Sequence, residues 1–103
     1  MSEQQSATPP NSNDPSDFYS LSTRAYMELT SRMHVDMQIN YTDNADIDFM
    51  RGMLPHHQAV VDMAKIALKY GYDPEVRMLA KNIILAQDID IKVINAWLKR
   101  HFL

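Results

Sequence analysis

A chain of 103 residues with 46% hydrophobic side chains amounts to one domain with a modest core. A net charge of −3 argues against a nucleic-acid binder with a basic face, and no apolar run of ~18 residues is present to span a membrane. The absence of Cys excludes disulfides, thiolate zinc sites and Cys nucleophiles, and 2 Gly are too few for a phosphate-cradling loop or a turn-rich β fold.

Residues 1–15 are rich in Ser, Gln, Asn and Pro and lack periodic apolar positions, so they are expected to be disordered. The folded domain is then residues 16–103. The N-terminal stretch has neither the basic start nor the apolar core of a secretory signal. The chain thus reads either as cytosolic or as the soluble remainder of an exported protein that has lost its signal or anchor.

The first helix is expected over about 16–41, opening at Asp14 and Pro15. Leu21, Ala25, Leu29, Met33 and Met37 recur at four-residue steps, with Phe18, Tyr26 and Met27 widening the stripe. Polar residues from Asn40 to Asn44 break it. The second helix covers about 45–70, with Asn44 as cap and Asp46 and Asp48 near its positive N-terminus. Pro55 falls inside and removes one backbone hydrogen bond, so the helix either kinks there or divides near Met53. Gly71 is expected to close it in the left-handed conformation. The third helix opens at Asp73, Pro74 and Glu75 and runs to about 101. Val76, Leu79, Ala80, Ile83, Ala86, Ile91, Ile94, Trp97 and Leu98 form its apolar stripe, which Gln87 and Asp90 interrupt. Three long helices with short connections make an all-α antiparallel bundle, small enough to leave one apolar face uncovered and form a homodimer.

Chemistry enters with 8 Met and 4 His. Met27, Met33, Met37, Met50, Met53 and Met63 cluster between residues 27 and 63, together with His34, His56 and His57. Met33 and Met37 are one helical turn apart with His34 beside them; Met50, Met53 and His57 follow i, i+3, i+7 on one stripe. His56 and Met63 are seven apart on a neighbouring face. If the first two helices pack antiparallel, these sets reach similar heights. The expected ligands are His57, His34, Met37 and Met53, followed by His56, Met33 and Met50. Neutral thioethers and imidazoles together favour Cu(I), and the similar ion Ag(I), over hard cations. Gln87 and Asp90 are candidates to orient a His ring through its other nitrogen. His101 has an ordinary role in complementing the dipole of the last helix. Met at helical spacing is otherwise a flexible core filler, which leaves a metal-free helical interaction domain as the alternative function. A di-metal oxidase would need Glu on several helices and Glu-x-x-His pairs; this chain has Glu only at 3, 28 and 75, so no enzyme is expected.

The run from Asp48 through Met50, Arg51, Gly52, Met53, Leu54, Pro55, His56 and His57 to Met63 and Ala64 resembles the bacterial family known as domain of unknown function 305. Gln87, Asp90, Ile94, Trp97 and Leu98 resemble the closing helix of that family. The resemblance spans roughly residues 17–102 and implies a ferritin-like helical bundle. It further implies kinship with exported, periplasmic proteins of the CopM type, which bind copper and silver through Met and His and support copper resistance. By position, Met53, His56, His57 and Met63 match the central motif of the family. Met33, His34 and Met37 resemble the Met/His-rich first helix of its copper-binding members.

Overall fold

A computed structural model describes residues 18–101 and contains three helices: α1 (Leu21–Asp36), α2 (Ala45–Tyr70) and α3 (Pro74–His101). The order is α1, α2, α3, and α2 is the central rod: α3 packs along it over a long contact and α1 packs on it more briefly. The chain folds back twice, which gives the expected all-α antiparallel bundle. The expected N-terminal tail and the start at Asp14 and Pro15 lie outside the described residues.

The first helix is shorter than its apolar period suggests. Ser20 supplies its cap, accepting from the Thr23 amide at 3.2 Å, and Phe18 is 84% exposed outside it. At the other end Met37 becomes the closing residue and its amide donates to the Met33 carbonyl at 2.9 Å. The residues after Met37 are not helical because their polar groups are used elsewhere. The Thr42 amide and hydroxyl donate to Asp48 at 3.0 and 2.9 Å, and Arg51 donates to the Asn40 carbonyl at 2.7 Å. This strap is tied to the first turns of α2. Asp43 sits at φ 67°, a conformation that Asp tolerates better than most residues.

Asn44 caps α2 as expected, its side-chain oxygen accepting from the Asp46 and Ile47 amides at 3.0 and 3.1 Å. The helix runs unbroken through Pro55 to Tyr70, so the sequence from Met50 to Met63 is one continuous rod. Gly71 does end it, but not in the left-handed form: its φ and ψ are −85° and 160°. Gly is required there for space. A Cβ at this position would stand 2.6 Å from the Ala67 carbonyl oxygen, a clash with backbone. Arg77 of α3 donates to the Leu68 and Gly71 carbonyls at 2.6 and 3.1 Å, so it satisfies the end of α2 from the next helix. Asp73 opens α3 by accepting from the Val76 amide at 3.0 Å, with Pro74 in the first helical position.

The core is thin. Among the described residues the buried apolar side chains are Leu29, Ala59, Val61, Ala64, Ala80 and Ile94, half of them Ala. Small residues on the facing sides of α2 and α3 let the two rods approach closely, at the cost of little apolar area per residue. Several positions of the expected α3 stripe stay largely in water, Val76 at 49% and Leu79 at 58% exposed.

Candidate metal centre

His57 is the best-positioned of the expected ligands. It lies in the middle of α2, on the side turned to α3, with its side chain only 17% exposed. Its Nδ1 hydrogen-bonds the Gln87 side-chain oxygen, and Asp90 Oδ2 stands 3.9 Å from the same nitrogen. An amide oxygen only accepts, so the Nδ1 facing it carries the hydrogen and, in the neutral ring, Nε2 keeps the free lone pair. The two polar residues that interrupt the α3 stripe therefore meet the one His that needs a partner. Gln87 is half-buried, and Asp90 is largely exposed at 56%.

Met53 precedes His57 by one turn, and Met50 precedes Met53 by three residues. Helical geometry brings side chains at these spacings to within about 5–6 Å at Cβ. Both Met are partly shielded from solvent. The face of α2 turned toward α3 thus carries one imidazole and two thioethers in a row.

The α1 set is elsewhere. Met33 lines a small cleft of about 20 Å³ with Leu29 and Arg32 of α1 and Pro55, Ala59 and Asp62 of α2. Arg32 and Asp62 pair across it at 3.6 Å. Pro55 and Ala59 are each two residues from His57, so they point about 160° away around the rod. Met33 and His57 consequently occupy opposite sides of α2. His34 and His56 are exposed, and Met37 is half-buried at the end of α1. The expected ligands divide into a His57, Met53 and Met50 row toward α3 and a Met33, His34 and Met37 group around α1. The reason is that α2 is sandwiched: its two neighbours take two faces, and the residues at similar height do not share one. The His56 and Met63 spacing of seven marks a third, solvent-facing side. His101 caps its own helix, donating from Nδ1 to the Trp97 carbonyl at 2.8 Å and stacking on the Trp97 ring at 4.0 Å.

Among the described residues no three His, Cys, Asp or Glu side chains gather into a metal-binding group. The His57, Met53 and Met50 row offers one nitrogen and two sulfurs, a donor set that matches soft monovalent ions.

The family model for a domain of unknown function, DUF305, matches residues 46–103, more than half of the chain. That match coincides with α2 and α3, the two helices that hold His57 and Gln87. An uncharacterized protein of Acanthamoeba polyphaga mimivirus is 34% identical over 51 residues, covering 50% of this chain and 34% of the viral protein. The chain thus spans about a third of the length of that relative.

Proposed function

We propose that this chain, which belongs to the DUF305 family, binds Cu(I) and the similar ion Ag(I) through the Met50, Met53 and His57 row and acts as a buffer or carrier in copper tolerance. The observation that supports this most is the fixed ring of His57, part-buried beside Met53 and held at Nδ1 by Gln87. Such a ring has its other nitrogen free and needs little reordering to take an ion. The ion is cargo, and no bond of a substrate is made or broken. Thioethers need no deprotonation and do not form disulfides, so the site suits an oxidising, extracytoplasmic compartment. The α1 group of Met33, His34 and Met37 would serve as a separate, weaker soft site on the other side of α2.

The test is titration with Cu(I) under reducing conditions against a chromophoric chelator. A saturable complex is expected, with a rise in Tm, because a ligand at ~100 times its Kd stabilises the native state by about 2.7 kcal/mol. The variant His57→Ala with Met53→Leu should lose that complex and the Tm rise. Binding no tighter than that of a scrambled-sequence chain would remove the proposal. A metal-free interaction domain is the second reading, favoured by the exposure of Phe49 at 63% and Met63 at 52% on α2.

A further inference from the structure

The contact line between α2 and α3 is marked by His57 and Gln87. In an antiparallel pair of right-handed helices, the residue preceding the contact residue lies on the same broad side in both rods. On that side, at seven-residue steps, α2 carries Phe49, His56 and Met63, and α3 carries Leu79, Ala86 and Val93. All six are exposed, Phe49 at 63%, Met63 at 52%, Leu79 at 58% and Val93 at 59%. The residues that follow the contact line give the opposite broad side, and they are Arg51, Gln58 and Lys65 on α2 with Lys81, Asp88 and Asn95 on α3. The hairpin is therefore amphipathic as a unit: one broad side is polar at these positions, and the other is apolar apart from His56 and Asp90, the latter about 60° from Gln87 toward this side and 56% exposed.

We propose that this apolar side is the interface for a second copy of the same chain, so that two α2–α3 hairpins close into a four-helix bundle. The area is sufficient. Large apolar residues at this exposure leave about 100 Å² each, and with their flanking neighbours the face approaches the ~800 Å² per partner of a standard interface. The need is visible in the thin core, where half of the buried side chains are Ala. A second copy supplies the missing apolar layer, as facing hairpins do in four-helix bundles. The six positions themselves carry no carboxylate or ammonium, and the charged group beside them on this side is Asp90, which stands next to His57 at the contact line. The six positions belong to the helices matched by the family model, and α1 lies on another side of α2, clear of the interface. Met53 lies about 40° from His57 toward this side, so the second copy also covers the row described above. The inference stands apart from metal binding, because it rests on apolar area alone.

The test is sedimentation equilibrium of the full chain with a Cu(I) chelator present, which separates the two proposals. At ~100 μM, where an interface of micromolar Kd is largely occupied, a mass twice the 11.9 kDa of the chain is expected. Leu79→Lys with Val93→Glu changes two exposed positions and should give a monomer of unchanged helicity. Lys65→Ala with Asn95→Ala, on the polar side, should remain a dimer. A wild-type monomer at that concentration, or a dimer that survives Leu79→Lys with Val93→Glu, overturns the proposal.

Discussion

Gln87→Leu is expected to weaken Cu(I) binding about 10–100-fold while leaving the helices intact, the usual effect of removing the partner that orients a ligating His. Leu is close to Gln in volume. What it removes is the acceptor on His57 Nδ1. The ring then loses its bias toward the tautomer with Nε2 free, and it can rotate about its side-chain bonds before an ion arrives. Asp90 gives only partial rescue, since it stands 3.9 Å away and is 56% exposed. Two measurements check the result. Competition titration reads the affinity, and nitrogen chemical shifts of the His57 ring read the tautomer in the metal-free protein. An unchanged affinity together with an unchanged tautomer would show that Gln87 does not orient the ring.

Ile94→Ala is expected to cost about 2–5 kcal/mol, the range for truncating a buried aliphatic side chain. Ile94 is 6% exposed and, among the described residues, is one of three large apolar side chains in the core, with Leu29 and Val61. A domain of this size loses roughly 4–8 °C of Tm for each kcal/mol, so the variant should melt at least about 8 °C below wild type. Ile89, five residues earlier on α3, is 63% exposed. Ile89→Ala removes the same atoms yet should change stability by no more than about 0.5 kcal/mol. Urea unfolding followed by circular dichroism measures both. Equal losses for the two variants would mean that α3 presents a different face to α2.

The three helices and most of their limits were legible in the sequence because caps are local. Asn44 and Asp73 each need only the next two or three amides, and both do what their position predicts. Gly71 was legible as a stop but not as a conformation, since its role depends on the Ala67 carbonyl rather than on its own dihedral preference. The end of α1 was not legible. Its apolar period stops at Met37, the closing residue, but the polar run expected to break it begins only at Asn40, and the bonds of the strap come from Asp48 and Arg51, which are not its neighbours in sequence. For the candidate site, that Gln87 would meet a His ring followed from two polar residues breaking an apolar stripe, but that the ring is His57 is known only from the packing of α3 on α2. The division between Met33 and His57 did not follow, because periodicity gives the faces of a helix without saying which neighbour takes which face. The order of the helices around α2 settles that, and it is a property of packing. The seven-residue steps from Phe49 to Met63 and from Leu79 to Val93 are in the sequence too, but their meaning depends on knowing the contact line.

Leu29 is the only buried residue of α1, and the strap after it is fastened by bonds at exposed positions. The first helix can therefore lift away as a unit at a small fraction of the free energy needed to separate the other two. Amide protons of residues 25–36 should exchange with deuterated solvent well before those of 59–66 and 80–94, under conditions where the hairpin stays whole. That order of exchange would mark the molecule as a two-helix platform with a detachable arm. Anything that grips the cleft beside Pro55 would slow the exchange of the arm without touching that of the platform.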